Sequence, residues 1–180
     1  EHIHNDYINV NTKAACKVVK SCKEFWCVSK FISNQINSIS NDVKTKLLYN
    51  GVDYNKFNVE ITDREKEIIY NRIGFDKDNY IVLYVGRLMP EKGVLQLMKA
   101  FNNIKKTDDN LRLLIVGEKK SNSDSIQNYY KLLLKEKEKN EDSIYLYGNA
   151  NIEELRGLYS ISSVQVVPSI WEEAFRTYCC

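Results

Sequence analysis

A chain of 180 residues, 43% apolar and 28% charged, is long enough to close a sizeable core. Its net charge of +2 comes from basic residues scattered along the chain, so nothing in it asks for a nucleic acid or an anionic membrane. The five cysteines (Cys16, Cys22, Cys27, Cys179 and Cys180) are odd in number and form no C-x-x-C pair. That fits neither a zinc ribbon nor a disulfide framework, and it suits reduced thiols in the cytoplasm. No apolar run approaches the ~20 residues of a membrane span. No leader is visible, although the chain opens at Glu1 rather than at a methionine.

Taken in chain order, Ala15, Val18, Val19 and Cys22 make a helical stripe, and "FWCVS" (25–29) predicts a strand. Phe31 to Ile39 predicts a second helix and "KLLYN" (46–50) a second strand. "NGVD" (50–53) is a turn signal and marks a domain boundary, dividing the chain into 1–52 and 53–180. "TDRE" (62–65) matches a capping box opening a helix that stops at Gly74. From there strands and helices alternate. "IVLYV" (81–85), "LRLLIV" (111–116), "IYLY" (144–147) and "VQVV" (164–167) are short, apolar and rich in β-branched and aromatic residues, as strands covered on both faces are. Between them run stripes at helical spacing: Val94, Leu97, Met98, Phe101 and Ile104; then Ile126, Tyr129, Tyr130 and Leu133; then Ile152, Leu155 and Tyr159. Pro90 introduces the first of these helices. The alternation predicts an α/β, Rossmann-like, doubly wound parallel sheet.

Gly86, Gly117, Gly148 and Pro168 each follow a strand, on the edge where open α/β sheets bind ligands. "VGRLMPEKG" (85–93) lies on that edge. Arg87 can fork onto phosphate oxygens, Lys92 adds a point charge, and Gly93 has no side chain to keep a ligand from the backbone. The N–H groups of a helix starting near Gly93 would attract an anion. Together they can hold a diphosphate without a metal; an exposed basic loop with Glu91 neutralising the helix end fits the same spacing. No G-x-x-x-x-G-K-[ST] is present and no G-x-G-x-x-G follows a strand, which argues against a P-loop and a dinucleotide oxidoreductase.

"VGRLMPEKGVLQLMKAF" (85–101) resembles the donor-domain signature of the retaining glycosyltransferases with the two-Rossmann GT-B fold, glycosyltransferase family 4 or "glycosyl transferases group 1". "YNGVDYNKF" (49–57), "LLIVGE" (113–118), "YGNANIEELRGLYS" (147–160) and "VVPSIWEEAF" (166–175) follow in the family's order, and upstream "HIHND" (2–6) and "WCVSKFI" (26–32) are similar to late strands of the first domain. The resemblance implies that 1–52 ends an acceptor-side domain and that 53–180 is most of a nucleotide-sugar-binding domain. It implies a nucleotide-diphosphate sugar as donor, a glycan or lipid-linked acceptor, and no metal and no other cofactor. It places the protein in the cytoplasm or at the inner face of the membrane, with room for peripheral membrane contact through a domain beyond this chain.

Residue by residue, Gly86, Arg87, Lys92 and Gly93 fall on the diphosphate turn, with Arg87 and Lys92 stabilising the leaving group. Ala150 falls where backbone meets the nucleotide base. Glu173, beside Glu172, matches the first of a glutamate pair near the donor sugar and has a catalytic role. His4 resembles a histidine facing the reaction centre from the acceptor side. Trp26 and Trp171 are read as packing residues rather than sugar platforms. Two departures stand out: Arg176 follows Phe175 where the family has a glycine, so that the glycine is either replaced or deleted, and the second glutamate falls one position past Cys180. The expectation is therefore a piece of a longer enzyme, ending in an unusual "RTYCC". A nucleotide-sugar epimerase on the same fold and a non-catalytic nucleotide-binding remnant are the alternatives.

Overall fold

The computed structural model describes residues 13–119 and 123–171. These form two compact units, 13–53 and 54–171. In the first, α1 (Lys13–Ser21), β1 (Glu24–Cys27), α2 (Lys30–Ile39) and β2 (Lys44–Leu47) follow one another, and the two strands pair in parallel from Glu24↔Lys44 to Cys27↔Leu47. Val19, Phe25, Cys27, Ile32 and Ile36 make its core, whereas Val18 of the expected α1 stripe is 42% exposed.

Both strands differ from the sequence reading, for local reasons. β1 stops at Cys27 because Ser29 is committed to α2, where its hydroxyl accepts from the Ile32 N–H at 3.3 Å. β2 runs over 44–47 rather than 46–50 because its register follows β1. One further bond extends the ladder, from Leu48 N–H to the Cys27 carbonyl at 2.8 Å. Trp26 is not a packing residue here. It is 54% exposed, its indole N–H donates to Glu24, and Lys46 Nζ stands 5.8 Å from its ring centre.

The second unit runs α3 (Tyr54–Phe57), α4 (Asp63–Ile73), β3 (Tyr80–Val85), α5 (Val94–Ile104), β4 (Leu111–Val116), α6 (Asp124–Lys137), β5 (Ile144–Gly148), α7 (Ile152–Ser160) and β6 (Val164–Gln165). Its sheet is parallel throughout, in the order β5-β4-β3-β6. The side-chain period of two divides each central strand between two cores. Tyr84, Leu113 and Ile115 meet Val94, Met98 and Phe101 of α5 and Leu133 of α6 on one face. Ile81, Leu83, Leu114 and Val116 meet Ile73 of α4 and Leu158 of α7 on the other. This is the Rossmann-like sheet that the alternation predicts.

The Thr62 capping box is present: Thr62 Oγ1 accepts from the Glu65 N–H at 3.3 Å, and Glu65 Oε2 accepts from the Thr62 N–H at 2.8 Å. Two boundaries differ from expectation. β6 spans two residues rather than four; the ladder continues to the bond from Val166 N–H to the Leu83 carbonyl at 2.8 Å and then meets Pro168, which has no N–H to give. Pro90 does not open α5. It opens a separate 3-10 turn, Pro90–Lys92, and Gly93 (φ 69°) breaks the helical path before α5 begins at Val94.

The strand order fixes where a ligand can sit. From β3 the chain moves outward through β4 to β5, and then returns by α7 to lay β6 on the other side of β3. The exits of β3 and β6 are therefore neighbours at the carboxyl edge of the sheet, next to the point where the strand order reverses and where doubly wound sheets take their ligands.

Candidate functional site

The β3 exit turn, 86–93, has two buried positions, Leu88 and Gly93, among exposed or half-buried residues. Leu88 is 3% exposed and packs with Tyr84 and Val94, while Arg87 on its flank is exposed and Lys92 is half-buried. The backbone is held from several directions. Gly86 N–H donates to the Val116 carbonyl at 2.9 Å, and Leu88 N–H to the Glu118 carbonyl at 3.2 Å. Met89 N–H turns back to the Arg87 carbonyl, Lys92 N–H to that of Met89 and Gly93 N–H to that of Pro90, each at 3.1 Å. The Tyr84 hydroxyl donates to the Arg87 carbonyl at 2.8 Å.

Two expectations about this turn change. The first concerns the N-terminus of α5. The Leu95 N–H donates to the Tyr129 hydroxyl at 3.1 Å. A helix end is an anion site through its unpaired N–H groups, and here one of the first is used inside the protein. Burial raises the Tyr129 phenol pKa; the backbone N–H groups of Leu95 and Val94 pull it the other way, and the Glu91 charge adds to the rise. The second concerns Gly93. A Cβ there would collide with the Pro168 carbonyl, so the missing side chain makes room for another part of this chain.

That contact joins the two loops of the crevice. The Pro168 carbonyl packs on Gly93, and the Ile170 N–H donates to the Glu91 carbonyl at 3.0 Å. The segment 168–171 is thereby strapped against the Arg87/Lys92 turn. Trp171 on this strap is 38% exposed rather than packed away. Glu173, named as catalytic and donor-binding, lies outside the described residues, as do Glu172, Arg176, His4, Cys179 and Cys180.

The β5 exit carries the third predicted element. The Gly148 carbonyl accepts from the Gly117 N–H at 2.7 Å, and Ala150 is half-buried against the core shared by α4 and α7. The start of α7, just beyond Ala150, was not singled out in the sequence, although N-x-x-E at Asn151–Glu154 is a legible capping box. Asn151 Oδ1 accepts from the Glu154 N–H at 2.9 Å, and Glu154 Oε2 accepts from the Asn151 N–H at 3.0 Å. The other carboxylate oxygen of Glu154 accepts from Arg72 Nη1 on α4 and from the Tyr147 hydroxyl on β5, each at 2.9 Å. The Asn151 N–H, Arg72 and Tyr147 together hold the Glu154 carboxyl down to about 2. The turn at 148–151 is thus fixed at both ends.

Arg87 and Lys92 share one turn, which the strap joins to 168–171; Ala150 stands two strands away from β3 on the same edge of the sheet. Among the described residues, no three side chains of the His, Cys, Asp and Glu types gather where they could hold a metal ion, and no helix is long and apolar enough to cross a membrane.

Comparison with known proteins gives a consistent answer. The family model described as glycosyl transferases group 1 matches residues 65–176. The uncharacterized glycosyltransferase MJ1607 of Methanocaldococcus jannaschii is 29% identical over 165 residues, covering 91% of this chain and 39% of its own. The lipopolysaccharide 1,2-N-acetylglucosaminetransferase of Salmonella typhimurium is 30% identical over 105 residues, covering 58% of this chain and 28% of its own. Among solved structures, a glycosyltransferase from Rickettsia africae superposes with a TM-score of 0.74 at 24% identity, over 91% of this chain and 44% of its own. Anabaena HepE in complex with UDP superposes with a TM-score of 0.70 at 18% identity, over 87% and 41%. The chain thus spans less than half the length of these relatives.

Proposed function

The chain belongs to the glycosyl transferases group 1 family, and from that premise we propose that it is the donor-binding part of an enzyme that moves a sugar from a nucleotide-diphosphate sugar to a glycan or lipid-linked acceptor. In this reading 53–180 forms most of the donor domain and 1–52 ends the acceptor-side domain. The observation that carries it is the placement of Arg87 and Lys92 on one internally braced turn at the crevice of the sheet, with 168–171 strapped to it.

The chemistry follows from charge. As the bond between the sugar's anomeric carbon and the phosphate oxygen breaks, negative charge grows on the leaving nucleoside diphosphate. Two cations on a braced turn favour that state over the bound donor, which is the condition for accelerating the step. Arg87 presents a planar fork to two phosphate oxygens and Lys92 a compact charge. The two cations supply the charge that a divalent metal supplies in other transferases, so the reaction is metal-independent in this proposal. Ala150 meets the base with its backbone, Glu173 lies by the donor sugar and phosphate, and His4 faces the reaction from the acceptor side. Transfer proceeds with retention of configuration. UDP, which HepE binds, is the first nucleotide to try.

The test is calorimetry on the full-length protein with UDP and uridine side by side. Arg87→Ala or Lys92→Ala removes a charged hydrogen bond and should weaken UDP binding by about 10- to 100-fold, with uridine affinity unchanged. Lys92→Glu should be worse than Lys92→Ala. Equal losses for UDP and uridine would show that the turn does not read phosphate. Transfer that vanishes with a chelator and returns with manganese would contradict the metal-independent step.

A further inference from the structure

We infer that Tyr84 is a positioning residue for the diphosphate turn: its phenol, planted in the core below the end of β3, holds the Arg87 main chain and so sets where the Arg87 guanidinium stands. The inference rests on the reading that this turn binds a diphosphate.

The Tyr84 ring is 2% exposed and packs with Leu88, Val94 and Met98. A phenylalanine would fill that space equally well, so packing does not explain the hydroxyl. A buried hydroxyl is unfavourable unless it is hydrogen-bonded, and this one donates to the Arg87 carbonyl at 2.8 Å. It reaches that carbonyl by passing Gly86: a Cβ built on Gly86 would stand 2.8 Å from the Tyr84 hydroxyl oxygen. The sequence Y-x-G-R thus reads as one device, with a tyrosine pointing into the core, a residue with no side chain in its way, and the arginine whose backbone it grips.

The device matters because the turn has little backbone to offer an anion. The N–H groups of Leu88, Met89, Lys92 and Gly93 are bonded within the protein, and that of Leu95 is taken by Tyr129. Recognition then falls on side chains. The exposed Arg87 has several rotatable bonds, and any freedom at its root adds to what must be frozen on binding. Fixing its carbonyl from below removes that freedom before the ligand arrives.

The experiment is a double-mutant cycle on the full-length protein, with Tyr84→Phe, Arg87→Ala and the pair, reading calorimetric affinity for UDP and for uridine. Tyr84→Phe keeps the ring volume and should weaken UDP binding measurably, by up to about fivefold if the whole worth of one neutral hydrogen bond is felt on binding, with uridine affinity unchanged. Because Tyr84 acts through Arg87, adding Tyr84→Phe to Arg87→Ala should cost no further UDP affinity. A role in fold alone would leave the two losses additive and would touch uridine as well. No loss in Tyr84→Phe, an equal loss for uridine, or a loss that persists in the Arg87→Ala background overturns the inference. If Arg87→Ala itself leaves UDP affinity intact, the reading of the turn fails first, and the inference with it.

Discussion

Replacing Gly93 by alanine separates two demands made at the same residue. Gly93 sits at φ 69°, the left-handed region, and alanine there costs about 1–2 kcal/mol. Its new Cβ would also meet the Pro168 carbonyl. The strap must then lift, and the bond between the Ile170 N–H and the Glu91 carbonyl at 3.0 Å goes with it, a further ~0.5–1.5 kcal/mol. The expected sum is roughly 1.5–3.5 kcal/mol. Gly74 supplies the control: it has nearly the same φ, 70°, but an added Cβ there has nothing within 4 Å. Gly74→Ala should therefore show the backbone cost alone. Urea unfolding followed by circular dichroism measures both variants. In a Trp26→Phe background, where Trp171 is the tryptophan this chain retains, its emission reports the strap, and it should shift in Gly93→Ala at zero denaturant and stay put in Gly74→Ala. If the two variants lose the same stability and neither shifts the emission, the strap is not held by close approach to Gly93.

Two further outcomes concern polar contacts away from the turn. Asn102, 6% exposed, donates to the Glu136 carbonyl and carboxylate, each at 3.0 Å, and accepts from Asn140 at 2.8 Å; Asn102→Ala should destabilise by about 1–3 kcal/mol by stranding those partners and leave UDP affinity untouched, which a melt and a titration check together. The Glu154 carboxyl is held at about 2 in the fold, below its unfolded value of ~4.3. Its stabilisation is full above the unfolded value and is lost as pH falls through the folded one. The gap in melting midpoint between the parent and Glu154→Gln should therefore close as pH drops from about 5 toward about 2, and a constant gap would show that the Arg72 and Asn151 contacts do not depend on the charge.

The sequence was most legible where one physical signal dominated. Continuous apolar runs gave β3 and β4 almost to the residue, and the Thr62 and Glu65 pairing gave the start of α4. It was least legible where tertiary contact decides. The stripe read for α7 counted Ile152, which is 48% exposed, and passed over Gly157, which is buried. A Cβ on Gly157 would strike Ile69 of α4, so that helix packs through a gap in its side chains, and an apolar count cannot register a gap. The same holds at the site. Arg87 and Lys92 were visible as charges at a strand end, whereas the roles of Tyr84, Tyr129 and the strap at 168–171 were not. Each of those acts through space on one or two backbone groups, and spacing along the chain carries no trace of it.

Those backbone contacts divide the labour at the sheet's carboxyl edge. Gly86 is bonded to Val116, Leu88 to Glu118, Gly117 to Gly148 and Ile170 to Glu91, so the exits of β3, β4, β5 and β6 are stitched to one another in a row. A row of loops fastened this way has spent much of its main-chain hydrogen bonding on its own geometry, unlike a glycine-rich loop that cradles phosphate with free N–H groups. In the proposed reading side chains supply the charge, and a side-chain cation is a stronger partner for phosphate than a neutral amide but is less well fixed. In that reading the stitching compensates for the weakness by holding the main chain at Arg87 and Lys92 before a ligand arrives. On this account the glycines and tyrosines of the edge are as much part of anion recognition as the two cations, although neither Tyr84 nor Tyr129 need touch the anion.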